Sequence, residues 1–385
     1  MTPPRGFPPE EFRARTSRAQ TLMQEAGLAA LLLTTEPEVR YYTGYLTRFW
    51  ESPTRPWFLV LPAAGGPIAV IPSIGAHLMR QTWITDIRTW QAPDYADDGL
   101  TLLADTLREV TPPDGQIGVA DQMESHLRMP LADFRRLEAA LVPRRIVSDA
   151  QITRRLRLVK SAAEIAKIRT ATAIANRAFD RVPEIARPGI PLAQVFRDFQ
   201  RLCLEEGADW VPYLAGGAGP GGYGDVISPA TDAPLAAGDV LMLDTGLVWD
   251  GYFCDFDRNY SLGPPSQDVA DAHALLIDAT AAAFARARPG ARIHDLFHAM
   301  NDITNPGGSG SDAGRLGHGL GMQLTEWPSI IPQDDTLLEP GMVLTLEPGV
   351  TLPGGQIMVH EEDILITEAG AEYLSAPQSP DIRVL

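Results

Sequence analysis

The chain has 385 residues, which is enough for two or three domains and a sizeable hydrophobic core. Lysine and arginine total 32 against 49 aspartates and glutamates, so the formal net charge is −17 at pH 7. Such an acidic chain repels a phosphate backbone, and we expect no nucleic-acid partner. Cys203 and Cys254 are too few for a disulfide framework, and the longest apolar run, residues 28–33, is too short for a membrane span. We therefore expect a soluble, cytoplasmic protein with no membrane association.

The N-terminal part of the sequence alternates helical and strand-like patterns. A helix is predicted over residues 10–25, ending at Gly27. Short apolar runs bounded by proline and glycine predict buried strands. These runs cover residues 28–33, 57–61 and 68–71. The alternation is typical of an α/β domain.

A clear helix start marks the second part of the chain. Ser161 and Glu164 form a capping box, in which each side chain satisfies a backbone N–H group of the other residue. Apolar residues at helical spacing follow. We place the domain boundary in the linker before this helix, which predicts one domain over residues 1–152 and another over residues 153–385.

The second predicted domain contains an internal repeat. The repeated segments are residues 186–189 with 287–290, and residues 238–246 with 341–349. Matching segments at nearly one offset indicate two similar halves related by a pseudo-two-fold axis. In each half an apolar strand is predicted to end in a carboxylate, Asp244 or Glu347. Two halves that face each other would bring these two acids into one central cleft.

Each half adds a second acid on the predicted return strand, Asp255 in the first half and Glu361 in the second. Four converging carboxylates repel one another and raise each other's pKa unless cations are bound. His318, flanked by glycines, adds one imidazole nitrogen. Four carboxylates and an imidazole suit two divalent ions such as Mn²⁺, Co²⁺ or Zn²⁺.

The second predicted domain resembles a known superfamily, that of prolidase, aminopeptidase P and methionine aminopeptidase. The matching motifs are Asp244-Thr245-Gly246, Gly251-Tyr252 with Asp255 and Arg258, residues 317–321, Leu346 to Gly349, and Glu361-Glu362-Asp363. Residues 39–44 are similar to the smaller domain of prolidases and creatinase. The resemblance implies an α/β (α+β) chain, with a C-terminal pita-bread catalytic domain and a smaller, creatinase-like N-terminal α/β domain.

The resemblance also implies roles for the residues at these motif positions. The metal ligands would be Asp244, Asp255, His318, Glu347 and Glu361. Asp255 and Glu361 would bridge two ions, and Glu347 would act as the general base toward the shared water. The implied protein is a homodimeric, metal-dependent exopeptidase that hydrolyses the Xaa–Pro bond of dipeptides.

Three residues or segments depart from the family pattern. Thr325 stands seven residues after His318, where the family carries a second histidine, and residues 226–232 lack the family's upstream histidine. Both changes bear on the substrate. Asp257 replaces the usual threonine on the same strand face as Asp255, where we expect it to orient a metal ligand. No substrate-binding residue is identified, although Arg48 and Arg55 are candidates for binding a substrate carboxylate.

Three alternatives to this function stay open. In the first, the same metal centre acts on a non-peptide small molecule, by C–N hydrolysis or by lyase chemistry. An Xaa–Pro aminopeptidase acting on longer peptides is not separated by these motifs. A non-catalytic binding protein on this fold is disfavoured, because all five ligand positions are occupied by ligand residues.

The remaining motifs have simpler interpretations. His294 and His298 lie at helical spacing but match no family ligand, so we interpret them as surface or core histidines. His360 precedes Glu361 and would point to the opposite face of a strand, which favours a structural role. Cys254 is predicted to be a small buried residue. The glycine-rich residues 215–224 are predicted to form a flexible loop beside the cleft.

Overall fold

The computed structural model describes residues 2–52, 56–307 and 314–385. The chain folds as two compact units, one of residues 4–157 and the other of residues 158–385 with residues 2–3. The predicted boundary between residues 152 and 153 remains a prediction. Among the described residues, no helix is both long enough and apolar enough to cross a membrane.

The N-terminal unit is built on a six-stranded mixed sheet. Its strands are β1 (Ala30–Leu33), β2 (Phe58–Pro62), β3 (Ile68–Pro72), β4 (Asp86–Trp90), β5 (Gln116–Val119) and β6 (Arg145–Ser148). Its helices are α1 (Pro9–Glu25), α2 (Glu36–Thr43), α3 (Ala76–Met79), α4 (Leu100–Val110), α5 (Leu131–Leu141) and α6 (Ile152–Leu158). The strand order is β4-β3-β2-β1-β5-β6, with antiparallel pairing only at β1–β2 and β2–β3.

The predicted helix and strands of this unit are present. Helix α1 covers the predicted residues, and Gly27 follows it in the left-handed region, at φ +68°. Strands β1, β2 and β3 match the three apolar runs, and each is buried along its whole length. Continuous burial explains why these strands are uniformly apolar rather than alternating.

The C-terminal unit is a larger α/β arrangement. Its helices are α7 (Ala162–Asp180), α8 (Leu192–Glu205), α9 (Gln267–Arg286) and α10 (Ile293–Thr304). Its strands are β7 (Trp210–Pro220), β8 (Asp239–Trp249), β9 (Tyr252–Phe253), β10 (Phe256–Ser261), β11 (His318–Gly319), β12 (Glu326–Ser329), β13 (Val343–Leu346), β14 (Gly349–Thr351), β15 (Ile357–Val359), β16 (Glu362–Thr367), β17 (Gly370–Tyr373) and β18 (Arg383–Val384). One sheet runs β18-β10-β8-β7, with β9 paired to β8, and a second runs β12-β11-β13-β16-β17. A third, two-stranded sheet pairs β14 with β15.

Helix α7 begins at the predicted capping box. The backbone N–H of Glu164 donates to Ser161 Oγ at 3.3 Å, and the N–H of Ser161 donates to Glu164 Oε2 at 2.9 Å. The buried face of α7 includes Ile168, Thr172 and Phe179, as their spacing predicts. The helix packs on a core that includes strand β8.

The two halves of the internal repeat form equivalent backbone hydrogen bonds. The N–H of Gly189 donates to Leu235 O at 2.8 Å, and in the second half Gly290 donates to Leu338 O at 2.9 Å. These glycines have φ values of +92° and +83°, which disfavour any residue with a Cβ atom. The same turn therefore precedes α8 and α10, and the two halves are built alike.

The glycine-rich segment is not the flexible loop that we expected. Residues 215–220 belong to β7, which pairs along its length with β8. A Cβ atom on Gly216 would lie 2.1 Å from the backbone oxygen of Met242. Glycine is needed here because the two backbones approach too closely for a side chain.

Candidate metal centre

Asp244 lies in the middle of strand β8, not at its end as we predicted. All eleven residues of β8 are buried, and the apolar segment before Asp244 is followed by further strand residues. The prediction was wrong because it treated the first polar residue as the strand end. Asp244 is buried, and a buried carboxylate is costly unless hydrogen bonds and a nearby cation compensate it.

The first half contributes two further acids beside Asp244. In the antiparallel register of β8 and β10, Asp257 pairs directly with Asp244. Asp255 immediately precedes β10, two residues before Asp257, so the two side chains share a face. The three side chains therefore project from one face of the sheet.

The second half contributes two glutamates from adjacent strand ends. Glu347 directly follows β13, and Glu361 directly precedes β16. Leu346, which precedes Glu347, pairs with Glu362, which follows Glu361. Antiparallel pairing thus places the two glutamates opposite each other.

His318 is oriented as a ligand through Nε2. Its Nδ1 lies 2.9 Å from the carbonyl oxygen of Gly319, which can only accept a hydrogen bond. The neutral ring therefore carries its proton on Nδ1, and Nε2 has a free lone pair. Nε2 lies 3.5 Å from Asp255 Oδ2. Burial lowers the pKa of His318 to about 4, which favours this neutral form.

The two halves converge on one buried cluster. Ligand atoms of Asp255, His318 and Glu361 all lie within 4.8 Å of one another. Burial raises the pKa of Asp255 and of Glu361, and the charges of Asp244 and Glu347 raise both further. Burial also raises the pKa of Glu347, to about 7. All five predicted ligands are therefore close enough to interact electrostatically.

The cluster fits divalent cations because its acceptors lack donors. Asp244 Oδ1, Asp255 Oδ1 and Glu361 Oε1 are buried and have no hydrogen-bond partner. Unpaired buried carboxylate oxygens are strongly unfavourable without a compensating charge. Oxygen donors with one imidazole are the ligands expected around Mn²⁺, Co²⁺ or Zn²⁺.

Residues around the cluster hold these side chains in place. The hydroxyl of Tyr213 donates to Asp244 Oδ2 at 3.0 Å, and the backbone N–H of Asp255 donates to Asp363 Oδ2 at 3.1 Å. Tyr213 was not among the predicted site residues, and no role was predicted for Asp363. Tyr213 comes from β7, and its contact with Asp244 depends on the strand pairing, which the sequence alone does not reveal.

The position of the missing second histidine is occupied by a hydrogen-bonded pair. Arg315 Nη2 donates to Thr325 Oγ1 at 3.4 Å. The charge of Arg315 lowers the pKa of Asp255 and of Glu347, against the larger effect of burial. The guanidinium of Arg315 therefore lies close enough to act on the cluster. Arg315 was not among the predicted site residues.

The remaining candidate residues are not among the proposed ligands. His294 lies 3.1 Å from Asp335, and its ring is 6.0 Å from that of His298. Cys254 is buried, as predicted, and burial raises the pKa of its thiol well above the usual range. Arg48 is exposed in the N-terminal unit, and Arg55 lies outside the described residues.

Family comparisons match both parts of the chain. The model of metallopeptidase family M24 matches residues 166–368. The creatinase/prolidase N-terminal domain matches residues 15–159. All five predicted metal ligands fall in the first of these segments.

Relatives match almost the whole length of the chain. A probable dipeptidase, PepE of Mycobacterium bovis, is 33% identical over 371 residues, covering 95% of each chain. The crystal structure of dipeptidase PepE from Mycobacterium ulcerans has a TM-score of 0.83 at 30% identity, covering 98% of this chain and 99% of that one. A prolidase structure from Thermococcus sibiricus has the same fold, with a TM-score of 0.86 at 22% identity over 97% of this chain and 99% of that one. This chain belongs to metallopeptidase family M24 and carries the creatinase/prolidase N-terminal domain ahead of the M24 domain.

Proposed function

We propose that the chain is a metal-dependent exopeptidase that hydrolyses the Xaa–Pro bond, with dipeptides as its main substrates. The observation that carries this proposal is the buried convergence of Asp255, His318 and Glu361 within 4.8 Å. Relatives named as dipeptidases cover nearly the full chain, which supports a small peptide substrate. By the same resemblance we propose a cytoplasmic homodimer.

Two divalent ions would be held by the five acidic and imidazole side chains of the cluster. These side chains are the carboxylates of Asp244, Asp255, Glu347 and Glu361 and the imidazole of His318. When bound, such ions act as Lewis acids on a carbonyl oxygen and lower the pKa of water. Their charge would also offset the repulsion among the carboxylates.

The protein's own groups orient the ligands and move the proton. The Tyr213 hydroxyl and the Gly319 carbonyl fix Asp244 and the His318 ring. A carboxylate oxygen of Glu347 would accept a proton from the attacking water and return it to the leaving nitrogen. Glu347 directly follows β13, opposite Glu361, so this proton carrier lies beside a proposed ligand.

The preference for proline is the part of the proposal that rests on the family resemblance. A peptide nitrogen of proline has no hydrogen, so a peptidase that needs that N–H group for recognition cannot use it. A site that relies on metal ions and a carboxylate base makes no such demand. The leaving proline nitrogen would take its proton from Glu347 as the C–N bond breaks.

Proline release from stripped enzyme tests the proposal. Xaa–Pro dipeptides with varied first residues would be assayed with added Mn²⁺, Co²⁺ or Zn²⁺, beside an Xaa–Pro–Yaa tripeptide. We expect metal-dependent release from dipeptides. Cleavage of the tripeptide alone would indicate an aminopeptidase, and an absence of peptide cleavage by metal-loaded protein would reject both peptidase assignments.

One observation favours a second function with the same metal centre. Arg315 and Thr325 form a hydrogen bond where the family carries a histidine that contacts substrate. A guanidinium beside the cluster suits an anionic group of a non-peptide small molecule. Metal-dependent hydrolysis or elimination of such a compound, without activity on any Xaa–Pro peptide, would support this alternative.

A further inference from the structure

Asp257 is a buried carboxylate that lies beside the proposed ligands but is not one of the five. Only 1% of its surface is exposed. It stands directly opposite Asp244 in the register of β8 and β10 and shares a strand face with Asp255. Its side chain therefore projects toward the cluster from the same sheet face as two proposed ligands.

One oxygen of Asp257 is held by the protein. The backbone N–H of Glu361 donates to Asp257 Oδ1 at 3.1 Å. His360 Nδ1 lies 3.4 Å from the same oxygen, in ion-pair contact without a hydrogen bond. The carboxylate is thus positioned from the second half of the unit, by the two residues that precede β16.

His360 is itself held by a buried ionic group. Its Nε2 lies 3.2 Å from Glu362 Oε1. Arg258 Nη2 donates to Glu362 Oε2 at 3.0 Å, and Ser375 also donates to that oxygen. Asp257, His360, Glu362 and Arg258 form a buried chain of alternating acidic and basic groups, which restricts the movement of the aspartate.

The other oxygen of Asp257 has no protein partner. Oδ2 is buried and accepts no hydrogen bond. A buried carboxylate oxygen without a donor carries a large desolvation penalty, so a cation or a water is expected to bind it. The neighbouring Asp244 also has an oxygen without a donor.

We propose that Asp257 is a sixth metal-binding residue, whose Oδ2 joins Asp244 on the ion at the β8–β10 side of the cluster. His360 is a positioning residue that acts through Asp257. This inference rests on the proposed function, since it requires a metal ion in the cluster. A carboxylate in place of a neutral hydroxyl adds one negative charge and one hard oxygen donor. Asp257 therefore favours Mn²⁺ over Zn²⁺ at this position.

Mn²⁺ binding to stripped protein tests the inference without measuring turnover. Isothermal titration would give the number of ions and their affinities for wild type, Asp257→Asn and Asp257→Thr. We expect two ions in wild type, and at least about tenfold weaker binding of one ion in both variants. Electron paramagnetic resonance should then change from a coupled Mn²⁺ pair to an isolated ion at matched loading.

Asp239→Asn is the matched control. Asp239 is a buried aspartate on the same strand as Asp244, and its Oδ2 accepts the backbone N–H of Ala236 at 2.8 Å. It lies five positions before Asp244 on the strand, so its side chain points to the other face. This variant should bind both ions with wild-type affinity.

The outcomes separate this inference from the proposed function. Two ions bound by Asp257→Asn with wild-type affinity would overturn the sixth ligand and leave the exopeptidase proposal standing. No Mn²⁺ bound by wild type would overturn both. If the Asp257 variants fail to fold, His360→Leu provides the second measurement, with a smaller weakening of the same ion expected. Unchanged binding in that variant would overturn the positioning role.

Discussion

Glu347 and Glu361 stand opposite each other at the ends of adjacent antiparallel strands. The neighbouring pair in the register is Leu346 with Glu362, so the two glutamates occupy the next position along both strands. Side chains opposite each other in an antiparallel pair are close neighbours. Two acids in this arrangement would be unfavourable without a bound cation, which links the strand register to the chemistry proposed for the site.

Replacing Glu347 with alanine should abolish most of the turnover. The side chain is proposed both as a ligand and as the group that carries the proton to the leaving nitrogen. General acid–base catalysis typically contributes about 10²- to 10⁴-fold to the rate, so we expect kcat to fall by about 10²-fold or more. The measurement is proline release under saturating Mn²⁺ and dipeptide. Glu339→Ala, at an exposed position, should keep full activity. A wild-type kcat in Glu347→Ala would exclude it as the base.

Added Mn²⁺ should raise the thermal stability of stripped protein. A ligand that binds only the folded state stabilises it by about 2.7 kcal/mol at a hundredfold excess over its Kd. Thermal unfolding with and without Mn²⁺ measures this shift. His318→Ala should lose much of the shift, whereas His298→Ala, at an exposed position on α10, should keep it. Equal shifts in both variants would mean that His318 does not bind the ion.

Much of the fold follows from local sequence patterns. Helix α1, strands β1 to β3 and the α7 capping box all depend on residues close together in the chain. Strand β4 was not predicted, because its sequence is partly charged and its residues are only partly buried at the sheet edge. Helix α4 was also not predicted, although its buried residues Leu100, Leu103 and Leu107 recur at helical spacing. The helical spacing of these leucines can be seen in the sequence alone.

The site is less predictable than the fold because its contacts cross between the two halves. The repeat and the motifs predicted five ligands, and the structure brings Asp255, His318 and Glu361 together. Their role as ligands remains a proposal. The contact of Asp257 with His360 joins residues that are distant in sequence. The structural interpretation of His360 did not anticipate that contact, because the alternation of a single strand says nothing about the strand it meets.

The buried histidine of α9 should make the protein less stable in mild acid. Burial lowers the pKa of His273 to about 4, and its Nε2–H donates to the carbonyl oxygen of Ser379 at 2.9 Å. The unfolded chain takes up a proton near pH 6.5, whereas the folded chain does so only near pH 4. Between these values the unfolded state binds more protons, so stability falls as the pH falls.

This group alone should cost the native state about 2 kcal/mol between pH 7 and pH 5. Urea unfolding at the two pH values measures the difference. His273→Gln keeps a donor near the position of Nε2 but takes up no proton, so the pH-dependent loss should be smaller in that variant by about that amount. An identical pH dependence in both proteins would show that His273 is not responsible.

The buried ion pair of Lys160 and Glu326 should be essential for stability as a pair. Lys160 Nζ lies 3.2 Å from Glu326 Oε2, and their side chains are 2% and 5% exposed. Glu326 Oε1 also accepts the backbone N–H of Met322 at 2.8 Å, which holds the chain that follows His318. Removing the lysine leaves a buried carboxylate without its cation, and breaking such pairs costs about 3–5 kcal/mol.

We therefore expect Lys160→Met to lower the free energy of unfolding by about 3 kcal/mol or more. Adding Glu326→Gln removes the uncompensated charge, and its amide oxygen can still accept the Met322 N–H group. The double variant should thus recover part of the loss, with a coupling energy above about 1 kcal/mol. Urea unfolding of the four proteins in the cycle measures that coupling. Additive losses would mean that the two side chains do not stabilise each other.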